Sequence, residues 1–311
     1  MKAFKIINPG ILTTVQDLGR SGLMKYGMPT SGAMDQRSLV IGNLLLRNPD
    51  KAAVLETTLQ GLKLQALAGV TISITGADLD PWLNDQPAPQ WAAFTLEEGD
   101  ALHFRKRKKG LRTYVTVHGG FDVPEALGSR STYVRGRIGA ILREGETLRT
   151  CPFDSAQPGN VSTVPQEYRP DFNRTDPIRV IMGPQDDCFT PRGIDTFLNS
   201  TYSITPQCDR QGFRTEGPAI EIAKGPGIIT DPIPPGAIQV PGDGKPIVLL
   251  RDSQVTGGYA KIAIVARVEM DCLGQMMPGD TIRFQCIDRQ TAINLLYEET
   301  HRLDELRELL R

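Results

Sequence analysis

Three stretches of this chain gather glycine and polar side chains more densely than a folded core requires, and each suggests a chemistry. The first is TTVQDLGRSGLMKYGMPTSGAMD, residues 13–35. It sets Thr13, Thr14, Gln16, Asp17, Arg20, Ser31 and Asp35 among Gly19, Gly22, Gly27 and Gly32, so polar groups sit on backbone that can approach a ligand closely. That composition predicts a binding loop. The alternative is that Asp17 and Arg20 pair to fix a wide turn while Asp35 caps the helix that follows.

The second stretch, CDRQGFRTEGP, carries Asp209, Arg210, Arg214 and Glu216. Two planar guanidiniums flanking a glycine suit bidentate capture of a carboxylate, phosphate or carbamoyl-type oxygen pair. An Arg–Glu network bracing the mouth of a barrel is the alternative. The third, GAIQVPGDGKPIVLLRDSQVTGGYAKIAIV, spans residues 236–265. Asp252 ends a strand, and Gln254, Thr256, Gly257, Gly258, Tyr259 and Lys261 follow before the next begins. Such a turn can aim N–H groups, a hydroxyl and an amide at developing negative charge, with Lys261 as a point cation. Read structurally, it is a Gly-Gly hairpin with Tyr259 as packing.

Other chemistries find less support. The histidines are His103, His118 and His301, none beside a second His or an acid at metal-ligand spacing, so no catalytic metal is expected. His118, next to Gly119 and Gly120, is a possible base, although lone histidines are more often structural. No serine lies in a Gly-x-Ser-x-Gly elbow. Cys151, Cys188, Cys208, Cys272 and Cys286 are scattered and odd in number, which predicts reduced and mostly buried thiols.

The elements that must position these residues are mostly short strands. VTISITG, ALHF, TYVTVHGG, IRVIMG, AIQV, PIVLLRD, AKIAIVARV and TIRF are each closed by Gly, Pro or Asp, a pattern of closed β architecture. Helices are expected over 34–46, around 193–200, and after Asp288. In the last, Ala292, Leu295, Leu296, Leu303, Leu306, Leu309 and Leu310 keep a helical period and should pack on the barrel. RKRKKG, residues 105–110, reads as a solvated hairpin tip.

At 311 residues and 40% hydrophobic content the chain can build two cores. Residues 151–176, rich in Pro, Ser, Gln and Asn, read as a linker between an N-terminal barrel, 1–150, and a C-terminal barrel with terminal helix, 177–311. Weak echoes support a repeat: ITGADLD with IMGPQDD, and EEGDALHF with MPGDTIRF. A formal net charge of −1 gives no field for a polyanion or an anionic membrane, so no nucleic-acid or membrane role is expected. With no apolar h-region at MKAFKIINPG and no bilayer-length apolar run, the expectation is a soluble, cytoplasmic protein.

Taken together, PGILTTVQDLGRSGLMKYGMPTSGAMD, ITGAD, GGFDVPEALGSRST, GPQDDCF, DRQGFRTEGP and GAIQVPGDGKPIVLLRDSQVTGGYAKIA are specific. Across nearly its whole length the chain resembles the family variously called the C subunit of 5-oxoprolinase, the second subunit of allophanate hydrolase, or biotin-dependent carboxyltransferase. The resemblance implies a mainly β fold of two cyclophilin-like β-barrel domains with a few short helices and a C-terminal helix. It implies a protein that works with the A and B subunits of the 5-oxoprolinase complex, using ATP to open the lactam of 5-oxoproline to glutamate. Alternatives within the family are carboxyl transfer from carboxybiotin on a partner to urea, and a non-catalytic regulator that binds a kinase inhibitor.

The matching positions are Gln16, Asp17, Arg20, Asp35, Asp209, Arg210, Arg214, Asp252, Gln254, Thr256, Gly257, Gly258, Tyr259 and Lys261. Asp252, Lys261 and Arg210 are the expected catalytic residues, and the others, apart from Asp209, are expected to bind substrate. The chain departs from the family pattern at Gln211, at Thr230 and Asp231, and in a contracted loop near 137–140.

Overall fold

The computed structural model describes residues 1–139, 141–152, 163–173, 175–225 and 227–310. The chain forms two compact units, neither of them one continuous stretch. The first comprises Met1–Arg20, Ser31–Asn173 and His301–Arg311; the second comprises Ser21–Thr30 and Arg174–Thr300. The break between Asn173 and Arg174 falls within the expected linker, while Ser21–Thr30 groups with the second unit and His301–Arg311 with the first. Residues 153–162 and 174 of the expected linker lie outside the described residues. The remainder of it is not simply solvated, since Val164 is fully buried and packs with Ile41, Leu45 and Trp91.

In the first unit the elements are β1 (Lys2–Pro9), β2 (Leu12–Gln16), α1 (Gln36–Leu45), β3 (Val54–Thr58), β4 (Leu62–Ala66) and β5 (Val70–Asp78). They continue with β6 (Pro81–Leu83), β7 (Gln86–Pro87), β8 (Ala92–Leu96), β9 (Ala101–Phe104), β10 (Lys109–Val117) and β11 (Thr147–Arg149). They make two sheets, ordered β11-β1-β4-β9-β6-β7 and β2-β3-β10-β5-β8. Strand β4 alternates as a one-sided strand should: Leu62, Leu64 and Ala66 are buried, whereas Lys63 and Gln65 are half-buried. The shared core includes Phe4, Ile6, Leu64, Ile72, Ile74, Leu102, Phe104, Val115 and Phe121.

Strands β5 and β10 are buried along nearly their whole length because α1 covers their other face. The helix can sit that close only because Gly42 has no side chain: a Cβ there would lie 2.6 Å from the Thr116 hydroxyl. RKRKKG is not a hairpin tip. It joins β9 in one sheet to β10 in the other, with Arg105 stacked 3.6 Å over the Trp82 ring and Lys108 paired to Asp80 at 2.5 Å.

The second unit contains β12 (Ile178–Met182), α2 (Pro191–Asn199), β13 (Tyr202–Cys208), β14 (Gly212–Glu216), β15 (Gly227–Pro232), β16 (Ala237–Val240) and β17 (Ile247–Leu249). After these come β18 (Thr256–Val265), α3 (Met270–Leu273), β19 (Thr281–Ile282), β20 (Phe284–Cys286) and α4 (Arg289–Leu309). Its strands form one nearly closed sheet, β19-β13-β14-β17-β16-β18-β12-β20, with β15 added on β18. The fold is thus mainly β, as expected. Thr190 caps α2 by accepting from Gly193 N, and Pro191 opens the helix.

The leucine stripe of α4 is only partly packed. Leu306 is buried and Leu303 and Leu310 half-buried against Ile41, Leu45 and Trp91, whereas Leu296 and Leu309 are exposed. Among the described residues no helix is long and apolar enough to cross a membrane.

Candidate functional site

In the first unit Thr13, Thr14, Gln16, Asp17, Arg20, Ser31 and Asp35 are buried. The Asp17 carboxylate accepts from Gly19 N at 2.8 Å, Ser129 Oγ at 2.6 Å, Arg130 N at 2.7 Å and Ser131 Oγ, and Asp17 N donates to Ser131 Oγ at 2.9 Å. Arg20, 1% exposed, donates to the carbonyls of Ala126, at 3.2 Å, and Ser131. Gln16 donates to Thr14 Oγ1 at 2.9 Å and to Thr132 O at 3.1 Å. All three reach the same loop, 126–132. The side-chain oxygen of Gln16 and the hydroxyl of Ser31 are buried without a hydrogen-bond partner.

Asp35 is the helix cap that its alternative reading anticipated. It accepts from Ser38 N at 2.8 Å and from Ser38 Oγ at 2.6 Å at the start of α1. Behind it, Tyr114 Oη accepts from Asp35 N at 2.8 Å and donates to Glu56 at 2.8 Å. Glu56 also takes the Met34 N–H at 2.8 Å and lies 3.6 Å from the Arg112 guanidinium. Burial, and then the charges of Glu56 and Asp35, push the Tyr114 hydroxyl well above its ordinary value, so it stays protonated and serves as a fixed donor. Glu56, Tyr114, Ser129 and Ser131 were not among the expected site residues; the only sequence signal for any of them was the Ser-Arg-Ser run.

In the second unit Arg210 and Asp252 come together as expected, but they face each other. Arg210 Nε is 2.8 Å from Asp252 Oδ2 and a terminal nitrogen is 3.3 Å from Oδ1, with both side chains about 5–6% exposed. Asp252 N also donates to Arg210 O at 2.9 Å. This is a self-neutralised pair that joins the turn after β13 to the turn after β17. Arg214 does not join it. Strand β14 alternates Phe213 and Thr215 inward with Arg214 and Glu216 outward, so the expected two-arginine clamp is not formed.

Lys261 has a different partner. Its ammonium, 1% exposed, lies 2.6 Å from Asp231 on β15, a carboxylate 40% exposed. Gln185 ties the group together: its amide donates to Asp231 at 3.2 Å and its carbonyl accepts from Lys261 N at 3.3 Å. The hydrogen bond from Lys261, then that from Gln185, holds the Asp231 carboxyl below its ordinary value. Gly183, next but one to Gln185, permits this arrangement, since a Cβ there would be 2.1 Å from Lys261 O.

The rest of the third segment lies at the surface. Gln254, Thr256 and Tyr259 are exposed, and Gly257 and Gly258 half-buried. A Cβ on Gly257 would meet Ile233 at 2.6 Å and the Gln239 amide at 3.0 Å, so the Gly-Gly pair serves close packing beneath an open surface. Half-burial lowers the pKa of His118 below 6.5, leaving it neutral near pH 7. Among the described residues no group of three or more His, Cys, Asp and Glu is placed to hold a metal.

The chain is thus mainly β, built of two units, with the Arg210–Asp252 pair in turns between strands of the second. The chain belongs to the family of the carboxyltransferase domain, subdomain A and B, whose pattern matches residues 26–286. It is 32% identical over 301 residues to the C subunit of 5-oxoprolinase from Haemophilus influenzae, covering 96% of this chain and 95% of that protein. It is 31% identical to the C subunit of 5-oxoprolinase from Escherichia coli K12, covering 97% of each. Among solved structures it resembles the Kluyveromyces lactis urea amidolyase, with a TM-score of 0.92 and 31% identity over 98% of this chain and 20% of that polypeptide.

Proposed function

We propose that the chain is the C-type component of an ATP-dependent 5-oxoprolinase and acts with the A and B subunits of that complex in opening the 5-oxoproline lactam to L-glutamate. The observation that carries this reading is the end-to-end correspondence with two bacterial proteins of that name, at 95–97% of their own length. Of the candidate residues, Lys261 with Asp231 and Gln185 has the chemistry to answer negative charge: a buried ammonium covered by a partly exposed carboxylate. In this proposal Lys261 stabilises an anionic oxygen of the substrate. Arg210 and Asp252 hold the two turns in place, and Gln254, Thr256 and Tyr259 present the surface that substrate meets.

The residues nominated here do not fit a nucleotide. Arg210 is taken up by Asp252, Lys261 is assigned to the substrate, and the chain has no Gly-x-x-x-x-Gly-Lys-Ser/Thr loop. The proposal therefore places ATP on a partner protein. A second reading, carboxyl transfer with biotin carried by a partner, is favoured by the likeness to the urea amidolyase structure.

The test is glutamate release from 5-oxoproline by the purified chain with the A and B subunits. Turnover should need ATP and all three proteins, and Lys261→Met should abolish it while the complex still forms. Full turnover without this chain, or none with all three, overturns the proposal. ATP- and biotin-dependent carboxylation of urea with a biotin carboxylase partner would establish the second reading instead.

A further inference from the structure

We propose that Lys261 and Gln185 form a subsite for a small monocarboxylate, and that Asp231 is a tethered stand-in which fills it until an external carboxylate takes its place. This deepens the 5-oxoprolinase reading above and rests on it for the natural ligand, the carboxylate of 5-oxoproline.

The receiving half of the site is fixed without Asp231. Lys261 lies on β18 between two partner strands: it is in register with Gln239 of β16, and Met182 of β12 pairs with Ala263 on the other side. The Gln185 carbonyl accepts from Lys261 N at 3.3 Å, which aims the amide nitrogen at Asp231 Oδ2, 3.2 Å away. An ammonium has three donors, and among the described residues that of Lys261 meets a single acceptor, Asp231 Oδ2 at 2.6 Å. A lysine 1% exposed therefore has donors left for a second oxygen.

The occupying half is weakly held. Strand β15 pairs with β18 alone, breaks register between Gly227 and Asp231, and contributes no buried side chain, with Ile229 94% exposed. Its nearest buried anchor is Ile233, just past its end, packed with Ala237 and Leu249. A two-stranded ribbon of this kind is marginal by itself. Because the Asp231 side chain is 40% exposed, turning it outward opens the ammonium to solvent and leaves the main sheet in place.

Charge selects the ligand. The present occupant is a carboxylate that meets one cation and one neutral amide, a set that answers a single negative charge shared over two oxygens. Among the described residues no second cation pairs with Asp231. Asp186 and Asp187 follow Gln185, and Asp187 already takes up Lys224, so the surroundings do not favour a phosphate dianion. Held below its ordinary value by the hydrogen bond from Lys261, the Asp231 carboxyl is a poor base, which leaves it the part of occupant.

The test is chemical rescue on the full chain. Asp231→Ala strands the Lys261 ammonium and should lower the melting temperature. Acetate or 5-oxoproline should raise it again, and acetamide or chloride at equal concentration should not. By calorimetry 5-oxoproline should bind Asp231→Ala about 10-fold more tightly than wild type, because a tethered competitor acts at an effective concentration in the millimolar range. Adding Lys261→Met should abolish both effects. If Asp231→Ala does not fold, wild type carries the test: the carbon-13 signal of the Asp231 carboxyl should shift as 5-oxoproline saturates the protein. No rescue by either carboxylate, equal rescue in the double variant, or an Asp231 signal that stays put overturns the subsite. Rescue by acetate and not by 5-oxoproline overturns its assignment to the substrate. Absence of glutamate release beside intact rescue removes the 5-oxoprolinase reading and leaves the carboxylate subsite, and release without rescue does the reverse.

Discussion

Each unit has an aspartate and an arginine beside a glycine in a polar turn, and the two solve opposite problems. In the second unit Arg210 and Asp252 satisfy one another, so their joint effect is local: two turns are tied. In the first unit Asp17 and Arg20 look outward along the chain, to backbone and hydroxyl groups more than a hundred residues away, and hold a loop that has little core of its own. A closed pair is replaceable by anything that fills its volume. A hub carboxylate with four donors is not.

The largest expected effect follows from that difference. Asp17→Ala removes the acceptor of two N–H groups and two hydroxyls, each buried donor left unpaired costing about 1–3 kcal/mol, so a loss of about 4 kcal/mol or more is expected in urea unfolding. Amide exchange of residues 129–132 should accelerate with it. Protection of those amides at the wild-type level would break the comparison.

Arg210→Ala should cost about 3–5 kcal/mol, because Asp252 is left buried and charged without its partner. The double variant Arg210→Met with Asp252→Leu should recover most of that stability. No single second substitution should rescue Asp17→Ala. If the double variant in the second unit stays as unstable as the single one, that pair is also a hub.

Asp35→Ala sharpens the picture at smaller scale. Loss of the cap on α1 should cost about 1–2 kcal/mol by thermal melting. A drop several times larger would mean that the Tyr114–Glu56 network behind the cap collapses too.

The smallest effect is in pH dependence. Asp231 has its carboxyl held below the ordinary 3.8 by Lys261, so the folded state binds its proton more weakly than the unfolded chain. Its contribution is complete above about pH 4 and is lost as pH falls through the lowered value. Asp231→Asn should remove that acid-side slope from a stability–pH titration; an unchanged slope would show that the pair with Lys261 does not persist in solution.

Much of the architecture was legible in the residues. Short strands closed by Gly, Pro or Asp, the cap Asp35 and the terminal helix all follow from local rules, because turn geometry and capping are decided within a few residues. The site was legible in its members more than in its pairings. Arg214 was expected beside Arg210, yet the two-residue period of β14 turns it outward. Lys261 found Asp231 because β15 pairs with β18, a registration no local signal announces.

By itself the sequence determined which segments are strands and helices, where the glycines must lie, and which short runs carry the polar chemistry, since propensity and periodicity act over neighbouring residues. Only the tertiary structure decided who meets whom: that Asp17 serves loop 126–132, that Arg210 is spent on Asp252, and that Asp231 covers Lys261. The physical reason is that a buried charge must find its partner wherever the sheet brings one within reach, and sheet pairing joins strands without regard to their distance along the chain.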